Sequence, residues 1–461
     1  MHNTRQEKEM RQAFGEQAQK IISSPERFRK RGNALRVGIE SEVAIFSEKI
    51  ALADLEGARN AILQEVPECT DIELGAAQIE LRTPPVDILG TGGFAELQTV
   101  YEKSALSLLR AARKHGAKIL RAGSNPFLPI KNTPRTDKLK YRLVPDYYNA
   151  HRPKNVDTHI GLGKHRVDIG DAAIVSLFQS FQVNMEALSF DDACNTMNRS
   201  FMIAPYLMGL AANARYLQCL NTGVQDMRLL AWEKSHDTRM HDVRLLSWEK
   251  AFDLRTEKDL RAGCILRVGL PERYFRNITE YLARAGSFPF ILHQPDSALA
   301  IAIGMTWLDT RVKIIGDSLV VELRLLPTQP TIAEELMLTL LYVGRLAYAQ
   351  KQSEPLLPIE CVRENRLSAM LYGMHRSMWF LPDDGAPRRL AYKIGMRKEI
   401  QKAKQGLCRL GLSKHLDAGL LEFILASGSP SDRLARSLRK MGGNGLHARM
   451  KKALQETCML I

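Results

Sequence analysis

The sequence predicts an α+β fold: an antiparallel-leaning sheet with helices between its strands and a helical region after them. Three observations carry that expectation. Four separated segments, 37–45, 77–83, 156–162 and 319–326, alternate apolar and polar residues with the period of two that marks a half-buried strand. The stretch 94–112 instead spaces Phe94, Leu97, Tyr101, Ala105, Leu108 and Ala112 at the helical three and four. Beyond 331 the chain reads as helix, punctuated by proline and glycine at 382–387 and 428–430.

A polar helical arm is expected over 1–34. The first strand, 37–46, leads to a helix over 52–64 and to a second strand that stops at Thr83-Pro84-Pro85, because proline cannot donate to a ladder. Gly90-Thr91-Gly92-Gly93 opens the helix of 94–112; no Lys-Ser or Lys-Thr pair follows it, so it reads as a turn and not as a phosphate loop. Residues 118–122 read as a strand closed by Gly123-Ser124-Asn125-Pro126-Phe127. A long irregular stretch, 128–155, carries Tyr141, Tyr147 and Tyr148, and loops of that length are often functional lids. The His159 strand follows, and 168–220 reads as helices rich in Ala, Leu and Met. Gly316-Asp317 joins 307–313 to 319–326 as a hairpin, and Thr331 with Glu334 caps an apolar helix reaching Tyr348.

A chain of 461 residues, 45% hydrophobic and 25% charged, can bury a large core, and it contains no apolar run of the roughly 18 residues that span a bilayer. No membrane association is expected. The polar N-terminus lacks a signal-like apolar stretch, so a cytoplasmic location is expected. Seven cysteines without a Cys-x-x-Cys pair argue for reduced thiols rather than zinc ligands or a disulfide framework. The net charge of +14 is uneven: from Cys361 onward there are 19 Lys and Arg against 8 Asp and Glu. Such a segment attracts anions unless it is simply a set of solvated helix faces. Beyond Arg388 only Tyr392 and Phe423 offer stacking rings, which disfavours nucleic acid as a partner. Between 225 and 255 the chain repeats itself once: Asp226 to Lys234 recurs as Asp242 to Lys250. One repetition is too little for a solenoid.

The polar faces of the strands hold the candidate chemistry. In 37–45, Val37, Ile39, Val43 and Ile45 share one face with small Ser41, leaving Glu40 and Glu42 together on the other. Gln78, Glu80 and Arg82 oppose Ile79, Leu81 and Thr83; Asp157 and His159 oppose Thr158 and Ile160; Glu322 and Arg324 oppose Val321, Leu323 and Leu325. For any single strand a solvated outer face suffices. Together, the strands supply acidic oxygens and an imidazole suited to hard divalent cations and their phosphate ligands. Trp307, Asp309, Arg311 and Lys313 share a face on the hairpin.

Gly38-Ile39-Glu40-Ser41-Glu42, Ala77-Gln78-Ile79-Glu80-Leu81-Arg82-Thr83-Pro84, Thr158-His159-Ile160-Gly161-Leu162 and Val321-Glu322-Leu323-Arg324 follow one another in an order that resembles the glutamate-cysteine ligase and carboxylate-amine ligase family. The likeness continues through Asn221-Thr222-Gly223, Arg363-Glu364-Asn365-Arg366 and Ser431-Asp432-Arg433, covering about 35–440. It implies a glutamine-synthetase-like curved antiparallel sheet as a catalytic domain over 35–355, with the basic helical region 356–461 packed on it. It also implies an enzyme that uses ATP and Mg2+, with Mn2+ as an alternative ion, to activate a carboxylate as an acyl-phosphate and pass it to an amine. Glutamate is the expected donor, and cysteine or another amino acid or amine the acceptor. By the same resemblance Glu40, Glu42, Glu80, His159 and Glu322 would bind metal, Arg311 and Arg324 would face the phosphates, and Lys313 the nucleotide. Gln78, Arg82, Arg228 and Arg239 would contact substrate, although the repeat leaves Arg244 and Arg255 as rivals for the last two positions. Asn125 stands where many relatives carry histidine. Small-molecule amino-acid substrates are the expected partners, and a homodimer is compatible with the sequence. The competing reading is a non-catalytic or regulatory binding protein on the same scaffold, using its basic C-terminal helices.

Overall fold

The computed structural model describes residues 4–151, 158–163, 165–236, 267–382, 385–442 and 445–461. Its centre is an eight-stranded sheet built on one long strand, β1 (Arg36–Phe46). Around β1 lie β2 (Thr70–Ile72), β3 (Gln78–Arg82), β4 (Val86–Asp87), β5 (Lys118–Leu120), β8 (Ser180–Ala187), β13 (Thr310–Ile315) and β14 (Ser318–Pro327). The main path runs β13-β14-β8-β1-β3-β2, with β4 and β5 also paired to β1, and every pairing is antiparallel. The sheet curls into a half-barrel.

Four two-stranded ladders stand outside it: β6 (His159–Ile160) with β7 (Val167–Asp168), β9 (Tyr216–Leu217) with β10 (Leu220–Asn221), β11 (Val268–Gly269) with β12 (Trp307–Leu308), and β15 (Ser377–Phe380) with β16 (Arg388–Ala391).

Alternation decides which face is core. Val37, Ile39, Val43 and Ile45 of β1, Ile79 and Leu81 of β3, Phe181, Val183 and Met185 of β8, and Leu319, Val321 and Leu323 of β14 are all buried in one continuous hydrophobic cluster. Each such side chain contributes roughly 1.5–3 kcal/mol on leaving water, so a slip of one residue in register would be prohibitive. Helices α3 (Gly93–Lys114) and α5 (Phe190–Ala211) and the helix Ile332–Lys351 lie among those that supply this core, α3 against β1 and α5 against β14. The three helices preceding and between them in sequence are α1 (Thr4–Ile22), α2 (Leu55–Glu65) and α4 (Leu139–His151).

The structure departs from the sequence reading in several places, among them the strands Ser377–Phe380 and Arg388–Ala391 in the region read as helix. Residues 180–187, expected within a helical stretch, form β8 at the middle of the sheet. The irregular stretch holds α4, with Pro145 inside it and Tyr148 buried toward Trp307, ring centroids 6.0 Å apart. The N-terminal arm is α1, packed on the helices Ile278–Ser287 and Ala298–Gly304.

In the C-terminal region the helix Tyr392–Arg409 lies on Ile332–Lys351, and the contact is made by glycine. A Cβ on Gly406 would collide with the carbonyl of Gly344 across the interface. Beside this contact a wholly buried ionic group joins the two helices: Arg345 reaches Glu354 at 2.6 Å and Glu399 at 2.5 Å, and Lys402 reaches Glu354 at 2.7 Å. Lys393, Arg397, Lys398, Lys404 and Arg409 line the exposed face of the same helix. Gly406→Ala is therefore expected to cost about 2 kcal/mol or more, as overpacking at a backbone contact does; thermal unfolding of the variant would check this, and an unchanged midpoint would contradict it.

Candidate active site

The polar face of the sheet is a grid fixed by register. Glu42 of β1 stands opposite Glu80 of β3, which stands opposite Asp71 of β2. One step along, Glu40 lies between Arg82 of β3 and Gln182 of β8. A further step places Gly38, Asn184, Glu322 and Arg311 in one row across β1, β8, β14 and β13. Acidic and basic residues distant in sequence thus share one surface because all sit on the non-core parity of their strands.

Carboxylates dominate one end of the grid. One oxygen from each of Glu42, Glu73 and Glu80 lies within 4.8 Å of the other two. Burial, with Glu73 next, pushes the Glu42 carboxyl up to about 8. Burial and the neighbours Glu73, Glu40 and Glu42 push Glu80 up to about 9. Glu73 is likewise raised, chiefly by burial. Like charges held this close in a sheltered site oppose ionisation until a cation joins them. The remaining oxygens fit a hard divalent ion: Gln182 donates its amide N–H to Glu42 at 3.2 Å, and its Oε1 is buried with no hydrogen-bond partner among the described residues. Glu42 also accepts the Ser180 backbone N–H at 2.7 Å, which fixes the direction of its carboxylate. Glu42, Glu73, Glu80 and Gln182 could therefore hold the metal.

Cations dominate the other end. Glu322, fully buried, is bonded by Arg311, lies 2.8 Å from Lys313 Nζ and 3.2 Å from Arg324 Nε. Burial works against its charge, but these three cations overcome it and hold the carboxyl well below the usual range. Lys313 also reaches Glu40 at 3.1 Å. Two carboxylates among three cations leave positive charge uncompensated. Burial, then Arg311, lowers the Arg324 pKa, and its Nη1 is buried without a hydrogen-bond partner among the described residues. An arginine so placed is suited to an anionic oxygen of a ligand.

The four acids and the imidazole expected to bind metal are thus divided. Glu42 and Glu80 meet, joined by Glu73. Glu40 and Glu322 are engaged by Lys313, Arg311 and Arg324, at the boundary between the halves. His159 is not on the sheet: it is exposed, on the short ladder with β7, its carbonyl accepting from Lys234 at 2.7 Å. The strand between β1 and β14 is β8, and Gln182 is its residue facing Glu40 and Glu42. Asp157 and Arg239 lie outside the described residues, as do Arg244 and Arg255.

Two expected substrate contacts are committed to the scaffold. Gln78 is buried, accepting the Gly75 N–H at 2.6 Å and donating to the Phe178 carbonyl, so it holds the turn that carries Glu73. Arg228, at the start of α6 (Arg228–His236), is buried against Asp226 at 3.2 Å and donates to the Leu325 carbonyl at 2.7 Å. It braces the register shift between Leu323 and Leu326, the irregularity that aims Arg324. Arg82 remains on the rim, 3.2 Å from Asp71 and facing Glu40 across the ladder.

Glu73 lacked a sequence signal, since it lies in a turn rather than on a strand. The β8 residues did carry one: Ser180, Gln182, Asn184 and Glu186 alternate with Phe181, Val183, Met185 and Ala187. Beside Glu322, Asn184 presents a buried Oδ1 with no hydrogen-bond partner among the described residues.

The raised carboxyls give a signed pH dependence. Between the ordinary value of 4.5 and the values of about 8 and 9, the folded state binds more protons than the unfolded state, so metal-free stability falls as pH rises through that window. Thermal melts of chelator-treated protein should show that loss from about pH 6 to pH 9, and Mg2+ should restore more stability at pH 9 than at pH 6. An equal Mg2+ increment at both would contradict the assignment of this cluster to a cation.

The model of glutamate-cysteine ligase family 2 matches residues 36–434. No curated protein sequence matches the chain. Among solved structures, it is similar to a glutamate-cysteine ligase from Francisella tularensis in complex with AMP, at 14% identity and a TM-score of 0.51, covering 93% of this chain and 89% of that one. It is also similar to a bifunctional glutathione synthetase from Pasteurella multocida, at 13% identity and a TM-score of 0.55, covering 95% of this chain and 53% of that one. At these identities the likeness is one of fold. With its sheet, its ordered motifs and that family match over most of its length, the chain belongs to glutamate-cysteine ligase family 2, a family of ATP-dependent carbon-nitrogen ligases.

Proposed function

We propose that the chain joins the γ-carboxyl of glutamate to the amine of cysteine, or of another amino acid or amine, through an acyl-phosphate formed with ATP. The observation that carries this reading is the division of one sheet face into a carboxylate end and an arginine-lysine end. Phosphoryl transfer needs little covalent help and much charge compensation, and a site of this kind offers both signs within one cleft. Mg2+, with Mn2+ as the alternative, would be held by Glu42, Glu73, Glu80 and Gln182 and would supply positive charge to the phosphate oxygens.

The chain's own groups do the rest. Arg324, with its unpartnered Nη1, and Arg311 hold the transferred phosphoryl group, while Glu322 keeps both guanidiniums in place. Lys313 bridges Glu322 and Glu40 and so ties the two ends together. A carboxylate oxygen of the donor attacks the γ-phosphorus, and the bond to the bridging oxygen breaks as ADP leaves with its electron pair. The amine nitrogen then attacks the acyl carbon, the carbon-oxygen bond to phosphate breaks, and nitrogen loses a proton as the amide forms. Arg82, at the rim, is placed to meet a substrate carboxylate.

ADP formation measured with glutamate and a panel of amino acids and amines should require an amine. Equal ADP release without any amine would instead indicate a kinase-like reaction that stops at the acyl-phosphate. Glu80→Gln should lower turnover at least about a hundredfold, as loss of a group that organises transition-state charge does. The same variant should melt no lower than wild type at about pH 8 in chelator, because it removes a crowded carboxylate. Retained turnover would refute the role.

A further inference from the structure

Directly behind the site, on the core side of the sheet, lies a carboxylate that no step of the reaction uses. Glu335, in the helix Ile332–Lys351, is fully buried. Its Oε1 accepts the Ser41 hydroxyl at 3.0 Å and the Gln329 backbone N–H at 3.0 Å. Its Oε2 accepts the Tyr101 hydroxyl and lies 2.5 Å from Arg121 Nη2. Arg121 in turn donates to the Gln329 carbonyl at 3.2 Å. A buried carboxylate is tolerated only when paired and hydrogen-bonded, and this one is satisfied on both oxygens.

The location gives the network its meaning. Ser41 is the residue between Glu40 and Glu42, its side chain pointing to the opposite face of β1. It is buried and polar where the rest of that face is apolar. Immediately before Gln329, the Thr328 hydroxyl lies 2.5 Å from the Glu42 carbonyl and 3.0 Å from that of Ser180. The segment 328–335 thus grips β1 at Ser41 and at Glu42, where the strand passes from the cation end of the site to the carboxylate end. A displacement here would move Glu40 and Glu42 together, and metal sites lose affinity when their ligands are poorly held.

We propose that Glu335 is a positioning residue for the site, acting through Ser41, with Tyr101 and Arg121 holding it in turn, so that metal binding on one face of β1 depends on a carboxylate buried behind the other. The inference rests on the proposed metal role of Glu42, Glu73 and Glu80. Its neighbour Glu334 provides the control: also buried, paired with Arg433 at 2.7 Å, it bonds nothing on β1 in the hydrogen bonds of the described residues.

The test is Mn2+ binding to the full-length protein, followed by electron paramagnetic resonance and by calorimetry, with thermal melts alongside. Ser41→Ala and Glu335→Gln should each weaken Mn2+ binding about tenfold, the lower end of what outer partners of metal ligands cost. Ser41→Ala should do so with its melting point little changed, and Glu334→Gln should bind Mn2+ as wild type does, even if it melts lower. Wild-type affinity in Ser41→Ala, or equal weakening in Glu334→Gln, would overturn the positioning role while leaving the metal site standing. Failure of the wild-type chain to bind Mn2+ would overturn the metal site and this inference with it.

Discussion

The arrangement depends on the pairing of β1 with β3 on one side and β8 on the other. That register alone brings Glu80 opposite Glu42 and Gln182 opposite Glu40. It is enforced by the apolar face of the same strands, since Val37, Ile39, Val43 and Ile45 can be buried only in one of the two alternations. The core therefore stabilises a surface that is electrostatically unfavourable by itself. Three carboxylates are held close together because hydrophobic burial on the reverse side outweighs the cost, and that cost, burial first and repulsion among the carboxylates after it, appears as carboxyls that resist ionisation.

The opposite end of the polar sheet face shows the converse imbalance. Arg311, Lys313 and Arg324 surround Glu322, and Arg324 carries a cost of burial that a bound anion would offset. A cation-seeking end and an anion-seeking end on one rigid sheet suit a metal-nucleotide complex, whose charges run in the complementary order. The irregular register after Leu323, braced from behind by Arg228, shows that the scaffold aims these groups as well as carrying them.

Much of this was legible in the sequence because period-two patterns are local. Glu40 and Glu42, Glu80 and Arg82, and Glu322 and Arg324 fall on the polar side of strands whose apolar residues are buried as expected. What failed was non-local. Thr158-His159-Ile160 has the residues of a site strand, yet among the described residues His159 and Ile160 pair with Val167–Asp168, because nothing in a short alternation says which neighbour it will find. β8 has an equally clear alternation, but it follows a helical turn at Ala172–Leu177 and precedes a long helix, and its Gln and Asn lack the conspicuous chemistry of histidine. Glu73 could not be read at all: it reaches the cluster through a turn held by Gln78, Arg59 and Thr136, contacts that exist only in three dimensions. Gln78 and Arg228 carry the right chemistry for substrate, and both are hydrogen-bonded to the framework.

The central claim is that cations settle where the carboxylates of β1, β3 and the turn before β3 converge. A crystal of the full chain grown with Mn2+ and a non-hydrolysable ATP analogue, measured at a wavelength that reveals manganese, addresses it directly. Anomalous density is expected within coordination distance of Glu42, Glu73 and Glu80, with the γ-phosphate reaching toward Arg324. Manganese bound elsewhere, with those three carboxylates left to solvent, would contradict it.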